Sequence, residues 1–400
     1  MKSIFTSLII CTIIVLSFTH SSAAIRRVGF LNSSTLVSGL DYADFQTAHD
    51  AANNGDTIQL YPSTNGGSSF SGTIIKQLVI LGSGYYYNSY NLPASGIANT
   101  GLQILPGGGP SCSFTIGLGS AGTIFQGVDG LSLTTSSIPD SLNNITILRC
   151  RGASVSFTNS GVCNNWVISQ CINANVSQGG YTSSFSGNRT ITNLRIENCL
   201  GVGVIYSAGG TGQSPVGINS GQILNCIFFY TYYVPTTGTD YLGNNTLTLN
   251  NSVFVVQNCI DITGVLNNPS GCANSIFINN LTATSAANNL VSTNPGCSGN
   301  VFGVTYDNNS IFVGYPTNTS GSTTLNTPDG VFTLASTSIA KNAGIIPGTT
   351  TATDCGIYGG TNPYKASGIP AVPSFYKLTS TSSQATTSPY TITFSAKSNN

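Results

Sequence analysis

Charge is what this chain has least of. Only 6% of its 400 residues are Asp, Glu, Lys or Arg, and the 12 basic and 12 acidic side chains cancel. An average soluble domain carries roughly 25%. Nucleic acid is therefore excluded as a partner, because phosphate binding needs clustered Lys and Arg, and Arg26-Arg27 is the one adjacent basic pair. Histidine is nearly absent too. Of two, His20 follows the N-terminal apolar run, which leaves His49 in a helix-like stretch, where we expect a polar helix-surface residue. No metal-ligand cluster, phosphate-binding loop or nucleophile–base signature is present, so the expected catalytic, cofactor-binding and metal residues are none. Long helical runs and a second long apolar run are missing, which excludes a membrane span.

What is present at the N-terminus is Lys2, an apolar run from Ile4 to Phe18, and a small-residue exit, His20-Ser21-Ser22-Ala23-Ala24. That order reads as a secretory signal, residues 1–24, cut near Ala24, with the mature chain secreted or at the cell surface. Ten of the 11 cysteines would then meet an oxidising compartment.

The middle of the chain repeats one frame, apolar-x-apolar-x-x-Cys, ending at Cys150, Cys171, Cys199, Cys226 and Cys259. A sixth copy, IFINNL, sets Leu281 at the cysteine place, and Asn198, Asn225, Asn258 and Asn280 precede four of the six ends. Steps of roughly 20 to 35 residues with variable loops describe coils of short strands. Because side chains alternate along a strand, Ile145 and Ile147 face one way and Thr146 and Leu148 the other. The stacked cysteines then form an interior column of free thiols, since parallel Cβ vectors oppose the disulfide torsion. The asparagines form a second column, each amide donating to the next. Cys272 and Cys297 sit instead in two similar loops, Asn-Pro-Ser-Gly-Cys and Asn-Pro-Gly-Cys, and are the expected disulfide. Cys112, Cys163 and Cys355 have no assignment.

Residues 41–53 place Phe45, Ala48, Ala51 and Ala52 at helical spacing before Asn54-Gly55. Gly55-Asp56-Thr57-Ile58 and Lys76-Gln77-Leu78-Val79-Ile80-Leu81-Gly82 follow. This opening resembles that of right-handed parallel β-helix proteins of the pectin-lyase-like type, in which a helix covers the first coil. Ser338 to Gly344 resembles their closing coil, with Ile339 where proline is usual. Asp354-Cys355-Gly356 through Pro373 resembles the C-terminal extension of secreted β-helix proteins of Bacteroidetes, a largely uncharacterised group. The expected class is all-β: signal 1–24, N-terminal cap 25–56, right-handed parallel β-helix 57–348, and tail 349–400 with an extended strap and a terminal strand near Pro389–Ser395.

Parallel β-helices of this kind commonly cleave acidic polysaccharides, which requires converging carboxylates with Ca²⁺ or a flanking acid–base pair. No two acidic residues of the stack are adjacent or one residue apart. Arg195 and Glu197 share one strand face, where an exposed pair is worth about 0–1 kcal/mol, and Arg149 and Arg151 are expected to reach Glu197. Tyr86, Tyr90, Tyr230 and Tyr232 lie in aromatic clusters suited to stacking on sugars. The reading is a structural or adhesive protein without catalysis, self-associating or binding neutral polysaccharide. A lyase or hydrolase with a dispersed groove site is the alternative. Ice binding ranks below both, since Thr246-Leu247-Thr248 and Thr391-Ile392-Thr393 are isolated.

Overall fold

The computed structural model describes residues 23–32, 35, 36, 40–61, 69–82, 84, 111–136, 141–158, 161–178, 190–206, 220–229, 232–234, 238–240, 247–249, 252–263, 265–267, 275–283, 296–306, 310–313, 330, 332–365, 374–380 and 392–397. Short β-branched segments separated by Asn and Gly corners pair with the equivalent segment one coil on, because alternation buries one face of each strand. Two ten-stranded parallel sheets run along the stack, and a three-stranded one spans three successive coils. In the first sheet, Ile25–Val28 pairs with Thr57–Leu60, and the order continues in sequence to Ile276–Ile278. The chain is a right-handed parallel β-helix, the handedness that strand crossovers within one sheet favour. The sheet begins at Ile25, inside the segment 25–56 expected as a cap.

The open first coil is covered by helix α1 (Phe45–Ala51), whose Phe45 and Ala48 are buried against the stack. Asp44 caps it, accepting from the Thr47 N–H at 2.8 Å. At the other end Lys76 Nζ donates to the carbonyls of His49, Asp50 and Ala52 at 2.8–2.9 Å, satisfying the oxygens a helix terminus leaves unpaired. His49 is fully buried, contrary to the expected surface position. Its Nε2 accepts from the Ile75 N–H at 3.2 Å, which leaves Nδ1 to donate to Asp50 at 2.9 Å. The ring thus joins the cap to the end of strand Ser69–Ile74.

The cysteine frame is explained by a corner. In successive coils Arg149, Gln170, Asn198, Asn225, Asn258 and Asn279 adopt φ of 52° to 57°, and Gly127 and Gly299 reach 65° and 67°. This left-handed conformation suits Gly and Asn best. The N–H of each corner residue stays in the sheet ladder, as in Asn198 to the Leu224 carbonyl at 3.0 Å. The next N–H is met by a side chain instead. Cys150, Cys171 and Cys226 each donate to the Sγ one coil on, Cys171, Cys199 and Cys259 respectively, at 3.4 Å. Each of the latter thiols lies near two carbonyls, for Cys171 those of Ser169 (3.2 Å) and Ile147 (3.6 Å). Cysteine is small enough for the interior and both accepts and donates.

The sixth copy is out of frame by one residue. Strand pairing aligns Gln257 with Ile278 and Ile260 with Leu281, so Asn280, not Leu281, holds the cysteine place. Its Oδ1 takes the Cys259 N–H at 2.9 Å and its Nδ2 donates to the Val256 carbonyl at 2.9 Å. Asn300 repeats both bonds one coil later, toward the Asn280 N–H and the Phe277 carbonyl. Asparagine therefore finishes the column that cysteine begins.

All five frame cysteines, with Cys112, Cys163 and Cys355, are buried free thiols. Burial pushes the Cys150, Cys199 and Cys259 thiols up from their ordinary pKa, so they stay protonated and unreactive. Cys297 is a half-buried free thiol that takes the Phe277 N–H at 3.3 Å. That differs from the expected bridge to Cys272, which lies outside the described residues. Alkylation of the native chain should label Cys297 and spare the five frame cysteines until denaturant is added, as read by peptide mass mapping. Cys259→Ala, which removes the acceptor of the buried Cys226 N–H, should cost about 1–3 kcal/mol in urea unfolding.

Candidate functional site: the strapped corner of the stack

The residue after Cys171, Cys199, Cys226, Cys259 and Asn280 points outward, yet it is apolar: Ile172, Leu200, Ile227, Ile260 and Leu281 are 0–1% exposed. An aliphatic column outside the coil needs a cover, and the tail supplies it. Cys355, Ile357 and Tyr364 pack on this column together with Ala340, Phe312, Phe332 and Phe229. Burying each of the five side chains contributes about 1.5–3 kcal/mol.

Polar contacts set the path of this strap. Asn258 faces Ile345 like a strand neighbour, its Nδ2 donating to the carbonyl at 2.9 Å and its Oδ1 accepting the N–H at 3.1 Å. Asn225 donates to the Asp354 carbonyl at 3.2 Å, and Asn198 to those of Ile357 and Gly359 at 2.9 and 2.7 Å. Gln170 reaches the Asn362 carbonyl at 3.3 Å. The strap thus runs back along the corner column, from the coil of Asn258 to that of Gln170. The expected amide-to-amide chain through Asn198, Asn225 and Asn258 is not what forms, because the left-handed corner turns these side chains outward onto tail carbonyls. Amides do meet between coils at another corner, where Asn165 donates to Asn144 at 3.1 Å and Asn193 to Asn164 at 2.9 Å.

Two glycines allow the approach. A Cβ on Gly344 would sit 2.7 Å from the Asn258 amide, and one on Gly359 would meet the Asp354 carbonyl oxygen at 1.8 Å and Asn225 Nδ2 at 2.4 Å. The terminal strand Ile392–Lys397 pairs antiparallel with Ser374–Ser380. The proline-rich part of the tail, residues 366–373, lies outside the described residues.

Charged groups gather where the strap ends. Glu197, 7% exposed, accepts from Arg195 at 2.6–2.7 Å, from Ser169 Oγ at 3.3 Å and from Asn362 Nδ2 at 3.5 Å. Arg195 is 42% exposed, so solvent screening holds the pair to about 0–1 kcal/mol. Arg151 does not reach Glu197 as expected. Its fork grips Asp129 of the preceding coil at 2.6 and 2.7 Å, while Arg149 Nε donates to Gln170 Oε1 at 2.9 Å.

The remaining described carboxylates are also engaged. Asp56 takes Arg26, Asp41 takes Arg27, Asp50 takes Gln46 and His49, and Asp44 caps α1. Asp354 accepts the Asn342 N–H. Asp261, fully buried, accepts the N–H groups of Thr263, Val265 and Leu266 and the hydroxyls of Thr263 and Thr282, at 2.8–3.2 Å. Asp140, Asp307 and Asp329, and the Asp240 side chain, lie outside the described residues. Among the described residues no group of three His, Cys, Asp or Glu side chains is placed to hold a metal, and no helix is long and apolar enough to cross a membrane. Tyr86, Tyr90 and Tyr230 also fall outside the description, as does the Tyr232 side chain. Their neighbours Phe228 and Phe229 are both fully buried, one within the coil and one under Phe332 at a centroid distance of 4.8 Å.

No protein-family model matches the chain, and no curated protein matches it by sequence. Among solved structures, the crystal structure of pectate lyase Pel9A is similar at a TM-score of 0.39 and 15% identity, covering 85% of this chain and 97% of that one.

Gly359→Ala should unseat the strap. Limited proteolysis should then cut within residues 344–364, a segment protected in the parent, while the parallel sheets keep their circular dichroism. Burial also raises the Asp261 carboxyl above its usual range, against the pull of its donors. A raised acid favours the folded state while protonated, so this contribution is present below the ordinary value of 3.8 and is lost as pH rises through the raised one. The stability of the parent relative to Asp261→Asn, from urea unfolding across that range, should fall with increasing pH.

Proposed function

We propose that this chain is an exported, structural or adhesive β-helix without catalytic activity, acting outside the cell or on its surface. The observation that supports this most is the employment of its carboxylates. Each described one is bonded to an arginine, to N–H groups of a cap or turn, or, for Asp50, to Gln46 and His49, and the column thiols lie against carbonyls. Among the described residues, the carboxylates that could move protons or hold a substrate cation are engaged in these contacts.

An array with so little charge offers weak electrostatic repulsion between copies. Self-association and contact with neutral polysaccharide are the partners that fit this surface. Tyr86, Tyr90, Tyr230 and Tyr232 are the proposed sugar contacts.

Incubation with polygalacturonate and a panel of neutral and acidic polysaccharides should release neither unsaturated uronate ends, read by ultraviolet absorbance, nor new reducing ends. Release that disappears in Glu197→Gln or Asp129→Asn would overturn the reading. In sedimentation, the weight-average mass should rise with concentration, and a monomer at every concentration would remove the self-association part.

A further inference from the structure

The first parallel strand, Ile25–Val28, is preceded by Ala24, and Ala24 is held at both ends. Its carbonyl accepts the Thr57 N–H at 2.9 Å. Its N–H donates to Asp56 Oδ1 at 2.8 Å. Asp56 is 2% exposed. Its other oxygen takes Arg26 Nε and Nη2 at 3.2 and 3.0 Å and the Asn53 N–H at 2.9 Å. Ala24 itself is exposed, so its nitrogen has the carboxylate on one side and water on the other.

Small residues at the first and third positions before a cut are what leader peptidases accept. His20-Ser21-Ser22-Ala23-Ala24 offers two such cuts, after Ala23 (with Ser21) and after Ala24 (with Ser22). They differ in what they leave. A cut after Ala24 deletes the donor to Asp56 Oδ1 and the acceptor of the Thr57 N–H. A cut after Ala23 keeps both and converts the amide donor into an ammonium, a charged donor beside a buried carboxylate.

We propose that the mature chain begins at Ala24, with the new α-ammonium clamped by Asp56 as the lock on the first coil. The inference rests on the export reading above and moves the expected cut by one residue. Hydrolysis of the Ala23–Ala24 amide by a leader peptidase consumes one water, leaving a carboxylate on Ala23 and an ammonium on Ala24. Asp56 is already suited to a cation. Although burial raises its pKa, the Asn53 and Ala24 N–H groups and Arg26 bring it below the ordinary carboxylate value.

The full chain, expressed in a secreting bacterial host and recovered outside the cytoplasm, should give Ala24 as the first residue by N-terminal sequencing and the mass of residues 24–400. An exported chain starting at Ile25, or at any other residue, would overturn this inference and leave the export reading standing. A chain retained in the cytoplasm with Met1 in place would overturn the export reading, and this one with it. On the processed chain, isotope-labelled dimethylation of the α-amine should show it titrating above the ordinary range of about 7.7–8.0 when folded and within it in urea. Identical folded and unfolded titrations would contradict the clamp.

Discussion

The structure depends on one backbone conformation repeated at one corner. A left-handed residue at Arg149, Gln170, Asn198, Asn225, Asn258 and Asn279 turns the chain sharply. The following N–H is then satisfied by a side chain of the next coil. An unpaired N–H in that interior would cost about 1–3 kcal/mol in every coil. Each coil must therefore carry a small interior side chain able to accept a hydrogen bond. Cysteine meets this at Cys171, Cys199 and Cys259, and asparagine at Asn280 and Asn300. The cysteines that dominate the sequence are thus backbone partners.

The same corner produces the strap. It sends asparagine amides outward, and it leaves the next residue of each coil on the outside of the stack, where Ile172, Leu200, Ile227, Ile260 and Leu281 form an apolar column. Apolar burial holds the tail there, and the amides fix which tail residue faces which coil. Arg149 and Gln170 mark the end of this arrangement. Their long side chains bond each other, and Arg151 replaces the aliphatic residue. The contacts of Asn362 with Gln170 and Glu197 fall at this boundary.

Much of the architecture was legible because it rests on periodicity. The strand frame and the interior cysteines follow from alternation and repeated spacing, and the cap motif Gly55-Asp56-Thr57-Ile58 with Lys76 from its resemblance to the opening of parallel β-helix proteins. In the sixth coil hydrophobicity favours Leu281 at the cysteine place, whereas hydrogen bonding selects Asn280. The outer column left a signal that spacing alone does not decode: Cys171-Ile172, Cys199-Leu200, Cys226-Ile227 and Cys259-Ile260 each pair the column cysteine with an aliphatic residue. Alternation sets that residue outside the coil, and the tail covers it there. The burial of His49 is hidden for a similar reason, since helical spacing does not report that α1 lies against a strand end needing an acceptor. The meeting of Arg151 with Asp129 and of Asn362 with Glu197 depends on coil register and the strap's path, which composition does not encode.

The interior column, not the loops, is the seat of stability, and its cysteine and asparagine side chains are committed to backbone N–H groups. Hydrogen exchange of the native chain, resolved to peptides ending at the column residues, tests this most directly. The amides of Cys150, Cys171, Cys226, Cys259 and Asn280 should exchange in the slowest class, opening only with global unfolding. Exchange at these amides as fast as at the outer Asn144 and Asn165 corners would contradict the account.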